Sequence, residues 1–168
     1  MTDQYTFFWS GPFSQWYPSK FNVQGIDYNC AEQYMMYHKA IMFGDIDALE
    51  AIMETNSPRE QKAIGRKVNN FDQTQWNRFA KDIVYVGNYA KFTQNLDLQQ
   101  YLLETAGTLL VETSPYDKIW GIGLNEVEAA ITPQDQWKGT NWLGEVLTQV
   151  RDDILNNKPF NIEDYTFI

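Results

Sequence analysis

The 168-residue sequence predicts an α+β fold, made of a single helix-dominated domain with a small antiparallel sheet. Its length suits one domain with a substantial core. Several long stretches repeat apolar residues every three or four positions, as amphipathic helices do, whereas strand-like stretches are short and too scattered for a parallel α/β sheet. We therefore assign residues 1–168 to one domain, with its core at about residues 7–157.

The composition is that of a globular protein. Hydrophobic residues make up 43% of the chain and aromatic residues 15%, which excludes a disordered or low-complexity polypeptide. No apolar run approaches the roughly 20 residues that span a bilayer, and residues 1–10 lack the basic start and apolar run of a signal peptide. Together with the single cysteine, Cys30, this predicts a cytoplasmic protein without a membrane partner.

The counts of charged and metal-binding residues exclude further classes. A net charge of −9 repels polyanions, which disfavours sequence-independent binding of nucleic acid, so a bound phosphate needs specific partners. One cysteine, Cys30, and one histidine, His38, cannot supply an internal disulfide or the usual metal-site spacings. We therefore expect no metal and no cofactor, and the sequence indicates no particular protein partner.

The chain begins with strands and then becomes helical. Between Tyr5 and Tyr28, aromatic residues mixed with glycine and proline predict a small β hairpin. After Asn29, an almost uniformly apolar run that ends at Gly44 predicts a largely buried central helix.

Three more helices are predicted from their start signals. The second helix begins at Asp45 or Asp47. The third begins at Ser57, which is followed by a proline at the first helical position and a capping-box glutamate. Asp72 begins a longer helix that extends to Phe92, with apolar residues at helical spacing.

The last part of the chain alternates helix, strand and helix. Asp97 caps a helix that stops at Gly107, and residues 108–113 form a strand that a Ser-Pro pair ends. A final amphipathic helix is capped by Thr140 or Asn141.

Two charged residues stand out inside the apolar central helix, because a buried charge requires compensation. Glu32 and Lys39 are seven positions apart, so they share one face of the helix and their head groups can meet in one pocket. Two purely structural explanations stand beside this one. Glu32 can be the third residue of a capping box that starts at Asn29, and Lys39 can extend its amine to water.

Other candidate residues carry weaker signals. Asp117 follows Ser-Pro-Tyr and precedes Trp120, so a loop can present its carboxylate, although such an aspartate more often forms a turn. Trp76, at a helix start, can stack on a base or fill the core. Cys30 has no activating base and is expected to be an inert buried residue.

Familiar catalytic motifs are weak or missing. A Ser-His-Asp or Cys-His arrangement would have to use His38, which lies inside the apolar helix. Gly121-Ile122-Gly123 lacks the third glycine of a dinucleotide fingerprint and is better explained as a turn in a strand or tight loop. No Walker phosphate loop occurs in the sequence.

Several stretches together resemble the NADAR family, whose name refers to NAD and ADP-ribose chemistry. The resemblance covers nearly the whole chain and implies a NADAR-like fold. It is carried by Phe13-Ser14-Gln15-Trp16, Ala31-Glu32-Gln33-Tyr34-Met35-Met36-Tyr37-His38-Lys39-Ala40, Gly65-Arg66, Trp76, Ala90-Lys91-Phe92-Thr93-Gln94-Asn95, Leu110-Val111-Glu112, Ser114-Pro115-Tyr116-Asp117-Lys118-Ile119-Trp120-Gly121-Ile122-Gly123 and Trp137-Lys138-Gly139-Thr140-Asn141-Trp142-Leu143-Gly144.

This resemblance implies an N-glycosidase that breaks a ribose C1′–N bond, either in early riboflavin-pathway intermediates or between ADP-ribose and guanine in nucleic acid. Carried onto this sequence, the functional carboxylates of the family fall at Glu32 and Asp117, its lysine at Lys39 and its tryptophan at Trp76. A carboxylate would stabilise the positive charge on the sugar and activate water. Alternatively, Lys39 would trap the ring-opened sugar as a Schiff base while Glu32 moves protons.

The candidates for binding substrate are Trp76, Trp120, Arg66, Lys91, Gly121 and Asn141. The tryptophans would stack on the base, while the cations and the turn at residues 139–141 would hold phosphate through charge-assisted and backbone hydrogen bonds. The family often has an arginine one turn after its tryptophan. This chain has Ala80 there, which is a departure on the phosphate side of the substrate.

Two interpretations without catalysis are also compatible with the sequence. The same pocket would bind ADP-ribose or NAD without cleaving it, or the aromatic residues would form an interaction surface. The expected partner is a nucleotide-like small molecule or ADP-ribosylated guanine in nucleic acid.

Overall fold

A computed structural model describes residues 4–167. In chain order, its helices and strands are β1 (Tyr5–Phe8), β2 (Phe21–Val23), β3 (Ile26–Tyr28), α1 (Ala31–Met42), α2 (Ile46–Glu54), α3 (Pro58–Gly65), α4 (Gln73–Gln94), α5 (Leu96–Leu103), β4 (Leu109–Glu112), α6 (Glu126–Ala130) and α7 (Trp142–Leu155), with 3-10 helices at Gln134–Gln136 and Ile162–Asp164. The predicted α+β class, dominated by helices, is confirmed.

The described residues form two compact units. The first unit contains residues 4–14 and 99–158, and the second unit contains residues 15–98 and 159–167. That residues 1–168 form a single domain stays a prediction. No helix within residues 4–167 is both long and apolar enough to cross a membrane.

The second unit is a cluster of helices with a hairpin at its start. β2 and β3 pair antiparallel around Gln24 and Gly25, whose φ angles of 52° and 85° suit the tight turn of a two-residue hairpin. The predicted hairpin and small antiparallel sheet are therefore found here, over a shorter stretch than residues 5–28. α1 packs against α2, α3 and α4, which makes it the central helix that the sequence predicted.

Three of the helix starts in the second unit are those predicted from the sequence. The side chains of Asp45, Ser57 and Asp72 each accept a hydrogen bond from a backbone N–H three residues later. α4 ends at Gln94, two residues beyond the predicted Phe92.

The capping box that stood as the structural alternative for Glu32 is not formed. α1 begins after Cys30, which makes no side-chain cap hydrogen bond. The Asn29 amide instead donates to the Thr55 carbonyl and to Asn56 Oδ1. Glu32 is therefore the second residue of the helix and is not part of a capping box.

The first unit is built on a pair of parallel strands. β1 and β4 pair in register from Tyr5 with Leu109 to Phe8 with Glu112, a pairing that the sequence pattern did not predict. α7 packs on β4, and a Cβ at Gly144 would collide with the Leu110 carbonyl, so this glycine permits the close approach of helix and strand.

The predicted boundaries of one helix near this pair are corrected. α5 starts at Leu96, which places Asp97 in its first turn rather than at the cap, and it ends at Leu103, before Gly107. The start predicted for the last helix is confirmed, because Asn141 is the N-cap residue of α7, although its side chain makes no cap hydrogen bond.

Candidate active site

The Lys39 amine is the centre of the candidate site in the second unit. Lys39 lies in the last turn of α1 and is half-buried. Its Nζ atom is 4.5 Å from the centroid of the Phe71 ring and 5.7 Å from that of Trp76. Both distances are within the range of a cation–π contact, so the amine lies among aromatic faces rather than in bulk water.

The surroundings of Lys39 favour its neutral form. Burial lowers the pKa of the amine, the Glu32 carboxylate acts in the opposite direction, and the Arg66 guanidinium lowers the pKa further. A lysine with a lowered pKa has a larger neutral fraction near pH 7, and the neutral amine is the nucleophilic form. This arrangement therefore suits covalent chemistry at Lys39.

Glu32 is on the same helix face as Lys39, as the seven-residue spacing predicted. Only 6% of Glu32 is exposed, and its backbone N–H donates to the Gln15 carbonyl at 2.9 Å. Met36, between the two charged residues, is buried against Gly65 of α3, where a Cβ would strike its sulfur. Packing of α1 on α3 thus fixes the face that carries both residues.

Trp76 is beside Lys39 but is only 5% exposed. It lies in the first turn of α4, after the cap at Asp72. The exposed ring at this amine is Phe71, at 40% exposure, which the sequence analysis did not identify. A signal was present, because Phe71 and Trp76 occupy the positions before and four residues after the cap that form a hydrophobic staple.

Arg66 ends α3, is exposed, and is close enough to Lys39 to act on its pKa. The structure therefore brings Glu32, Lys39, Trp76 and Arg66 together in one unit. Their roles in binding or catalysis stay predictions.

Lys91 has a different setting, because it is completely buried in α4. Its Nζ atom is 4.9 Å from the Phe92 ring centroid and 5.9 Å from that of Tyr17, and burial lowers its pKa to about 7. With no exposed surface, its amine meets a substrate phosphate only after a rearrangement. The predicted phosphate contact of Lys91 stays a prediction.

Cys30 is buried and His38 is half-buried. Burial raises the pKa of the Cys30 thiol to about 11, and its Sγ donates to Gln61 Oε1 at 3.2 Å, which agrees with an inert residue. Burial lowers the pKa of His38 to about 4, and its ring contacts those of Tyr34, Tyr37 and Phe167. These ring contacts do not form a catalytic triad.

Asp117 organises a loop in the first unit and keeps one oxygen available. Its Oδ1 accepts hydrogen bonds from the backbone N–H groups of Ile119 and Trp120 at 2.9 and 2.8 Å, and its carbonyl accepts one from Gly123. Within residues 4–167, Oδ2 accepts no hydrogen bond, and the side chain is half-exposed. The carboxylate is therefore oriented by one oxygen and can meet a ligand with the other.

The remaining candidates in the first unit also hold this loop in place. Asn141 is buried, with Oδ1 accepting from Glu112 N–H and Nδ2 donating to the Leu110 carbonyl. Its backbone N–H donates to the Gly121 carbonyl, and a Cβ at Gly121 would lie 3.0 Å from two carbonyl oxygens. Trp120 is half-buried, edge-on to Trp142 at 5.5 Å. Contacts of these three residues with substrate stay predictions.

The predicted phosphate turn at residues 139–141 is already engaged by the protein. The N–H groups of Thr140 and Asn141 donate to the carbonyls of Lys118 and Gly121, both at 3.0 Å. These two amides are therefore not available to a phosphate in this conformation.

Comparison with known proteins identifies the family of the chain that carries these candidate residues. The family model described as "NADAR domain" matches residues 7–155. The chain belongs to the NADAR family.

Relatives and a solved structure agree with this membership. The NADAR chain is 44% identical over 165 residues to the N-glycosidase R617 of Acanthamoeba polyphaga mimivirus, covering 90% of this chain and 97% of that protein. It is 32% identical to the chloroplastic riboflavin biosynthesis protein PYRR of Zea mays, over 79% of this chain and 20% of that protein. The NMR structure of the E. coli protein YbiA matches with a TM-score of 0.75 and 27% identity, covering 96% of this chain and 92% of that one.

Ala80 is the position at which this NADAR chain departs from the family pattern on the phosphate side of the substrate. Ala80, one turn after Trp76, is fully buried on α4. Its neighbour Arg78 is exposed and Lys81 is half-buried. α4 therefore supplies no cation at position 80, and Arg66 is the cation that acts on Lys39.

Proposed function

We propose that this protein is an N-glycosidase that hydrolyses a ribose C1′–N bond, in ADP-ribosylated guanine of nucleic acid or in ribosylated riboflavin-pathway intermediates. Membership of the NADAR family supports the reaction class, as does similarity to a protein named N-glycosidase. The observation that carries the proposal is the Lys39 amine, shielded by aromatic rings and placed within electrostatic reach of Glu32.

The reaction makes specific demands on the site. When the C1′–N bond breaks, its electron pair leaves with the nitrogen base, which must gain a proton, and positive charge develops at C1′. Water finally supplies a hydroxyl group to C1′ and a proton to the base. The site therefore needs a group that stabilises or captures C1′ and a group that transfers protons.

We assign the capture of C1′ to Lys39. Its neutral amine bonds to C1′ as the base departs, the sugar ring then opens, and the ring oxygen takes a proton from solvent, which leaves a hydroxyl group and a protonated Schiff base. Addition of water to this carbon then releases the sugar as an aldehyde, returns a proton to solvent and regenerates the amine. The lowered pKa of Lys39 supports this route over direct attack by water.

Glu32 is assigned the proton transfers. A buried carboxylate on the same helix face can take the proton that the lysine loses and pass it to the departing base. Asp117 is assigned to binding or charge stabilisation through Oδ2, on the basis of its chemistry and the family resemblance.

Substrate binding is assigned to the remaining predicted residues. Arg66 holds a phosphate, since it is an exposed cation in the second unit, and Trp120 offers a half-buried ring for stacking. The other four predicted residues are buried, and they either shape the surroundings of the substrate or contact it after the protein rearranges: Trp76, Lys91, Gly121 and Asn141. Because the lone cysteine is consistent with a reducing compartment, we propose a cytoplasmic location.

The test is analysis of products after incubating the pure protein with two substrates separately. One is an oligonucleotide with ADP-ribosylated guanine, and the other is a ribosylaminopyrimidine phosphate. Release of free base and sugar from either substrate is the expected result and identifies the substrate branch. Tight binding of both with no product would contradict the proposal and favour a module that binds ADP-ribose without cleaving it.

A further inference from the structure

Phe71 covers the amine on which the proposed chemistry depends. Its ring centroid is 4.5 Å from Lys39 Nζ, and 40% of the residue is exposed. Its ring also packs against Phe43 at 5.3 Å, with 70° between the planes. Phe71 therefore has surface facing solvent and, at the same time, contacts both the amine and a buried aromatic residue.

The loop before α4 fixes the position of this ring. The Asn69 N–H donates to Asp45 Oδ2 at 2.9 Å, Asn70 has a φ angle of 61°, and Asp72 caps α4. Phe71 is thus bracketed by a residue in the left-handed region and by a helix cap, and the fold determines where its side chain lies.

We propose that Phe71 is a positioning residue that excludes water from the Lys39 amine and thereby keeps this amine ready for reaction. The proposal rests on the assignment of Lys39 as the catalytic amine, and it concerns a residue that the family resemblance in the sequence did not mark.

Other groups around Lys39 define what Phe71 can add. Glu32 on the same helix and Arg66 at the end of α3 are the charged residues that act on its pKa, while Trp76 faces it from α4. Among the described residues, α2, β3 and α4 contribute no charged group that acts on this pKa. Burial has the largest influence on the pKa of Lys39, and the two charges act on it in opposite directions.

The Phe71 ring has two effects on the amine, and a pair of variants separates them. Its bulk excludes water, which favours the neutral amine, whereas its π face attracts the protonated amine. Phe71→Ala removes both effects, and Phe71→Leu keeps an apolar cover without the π face. Because burial is the largest influence on the pKa of Lys39, we expect loss of the apolar cover to outweigh loss of the π face in Phe71→Ala, and this pKa to rise.

The experiment measures the Lys39 titration and the pH–rate profile in the same proteins. Lysine labelled with carbon-13 at the ε position is followed by NMR without substrate, and the Lys39 signal is assigned by its loss in Lys39→Arg. In Phe71→Ala, we expect the amine to titrate at higher pH. Turnover should fall about tenfold at neutral pH, for a one-unit displacement, and should recover at alkaline pH. In Phe71→Leu, which keeps the apolar cover and loses only the π face, the amine should titrate at or below the wild-type pH, and turnover at neutral pH should be retained.

The outcomes separate this proposal from the proposed function. An unchanged Lys39 titration in Phe71→Ala would overturn the role of Phe71, even if the enzyme depends on Lys39. A rise in KM with an unchanged pH profile would also overturn it and would indicate contact with substrate instead. Full turnover by Lys39→Ala would instead contradict the assignment of Lys39 as the catalytic amine, whereas absence of product from the wild-type protein would contradict the proposed function itself.

Discussion

The two units use polar side chains in different ways. In the second unit, Glu32 is buried and Lys39 half-buried on one helix face, and burial lowers the pKa of the Lys39 amine. In the first unit, Asp117 and Asn141 use their side chains to hold backbone N–H and carbonyl groups in a loop. The second unit thus changes the reactivity of a group, whereas the first fixes the geometry of an acceptor.

This difference predicts which substitutions affect chemistry and which affect structure. Removal of the Lys39 amine should abolish the reaction that depends on it, and a change in a neighbouring charge should change the pKa of this amine. Removal of the Asp117 charge should lower activity, but the loop should keep its structure if the substituted side chain retains one oxygen acceptor.

Removing the Lys39 amine should have the largest effect. Lys39→Ala should lower kcat/KM by at least about 10³-fold, since covalent capture of C1′ and its assisted proton transfers are lost together. Steady-state product formation measures this. Lys67→Ala, which removes an exposed lysine next to Arg66, is the matched control and should retain activity.

Removing the charge of Glu32 should have the next largest effect. Glu32→Gln should lower kcat about 100-fold, because proton transfer to the departing base is lost. It should also lower the pKa of Lys39 further, since Glu32 acts to raise it, and so move the acidic limb of the pH–rate profile to lower pH. Glu50→Gln on the exposed surface of α2 is the control. Movement of the limb to higher pH would contradict the assigned electrostatics.

His38 tests burial in the second unit without involving the reaction. Its pKa is lowered to about 4 in the folded protein, so between about pH 6.5 and pH 4 the unfolded chain binds a proton that the folded chain does not. The free energy of unfolding should therefore fall, by about 3 kcal/mol, as pH decreases through this window. Urea denaturation of His38→Phe at several pH values should show a weaker decline. An identical decline would argue against burial of a neutral histidine.

Asp117 should show the smaller and separable effects of the first unit. Asp117→Asn keeps an Oδ1 acceptor for the Ile119 and Trp120 N–H groups, so it should lower activity about tenfold with unchanged thermal stability. Asp117→Ala removes both hydrogen bonds and should also reduce the unfolding free energy by about 1–2 kcal/mol. Equal activity of the asparagine variant and the wild type would remove Asp117 from the proposed chemistry.

Local signals in the sequence predicted much of the helical structure. The caps at Ser57 and Asp72 depend on neighbours a few residues away and were predicted correctly, and Asp45 is one of the two starts predicted for the second helix. The parallel pairing of β1 with β4 could not be predicted in this way, because Tyr5 and Leu109 are distant in sequence and no periodicity connects them. The Asn29 cap is not formed because the side-chain oxygen that a cap requires accepts a long-range hydrogen bond from Gln61 Nε2 instead.

The candidate site was predictable only in part. Helical spacing placed Glu32 and Lys39 on one face, but it did not show that aromatic rings enclose the amine. Phe71 was missed because it lies in a loop outside any periodic pattern. The burial of Lys91 was also hidden, since a lysine in a helix usually reaches solvent.

Capture of the sugar by the half-buried amine of Lys39 can be observed by reducing the reacting enzyme with borohydride. Borohydride converts a Schiff base to a stable secondary amine, and peptide mass spectrometry then locates the added sugar. We expect a sugar adduct on the peptide that contains Lys39, absent without substrate and absent from Lys39→Arg. Turnover without any trapped adduct, together with retained activity in Lys39→Arg, would contradict it.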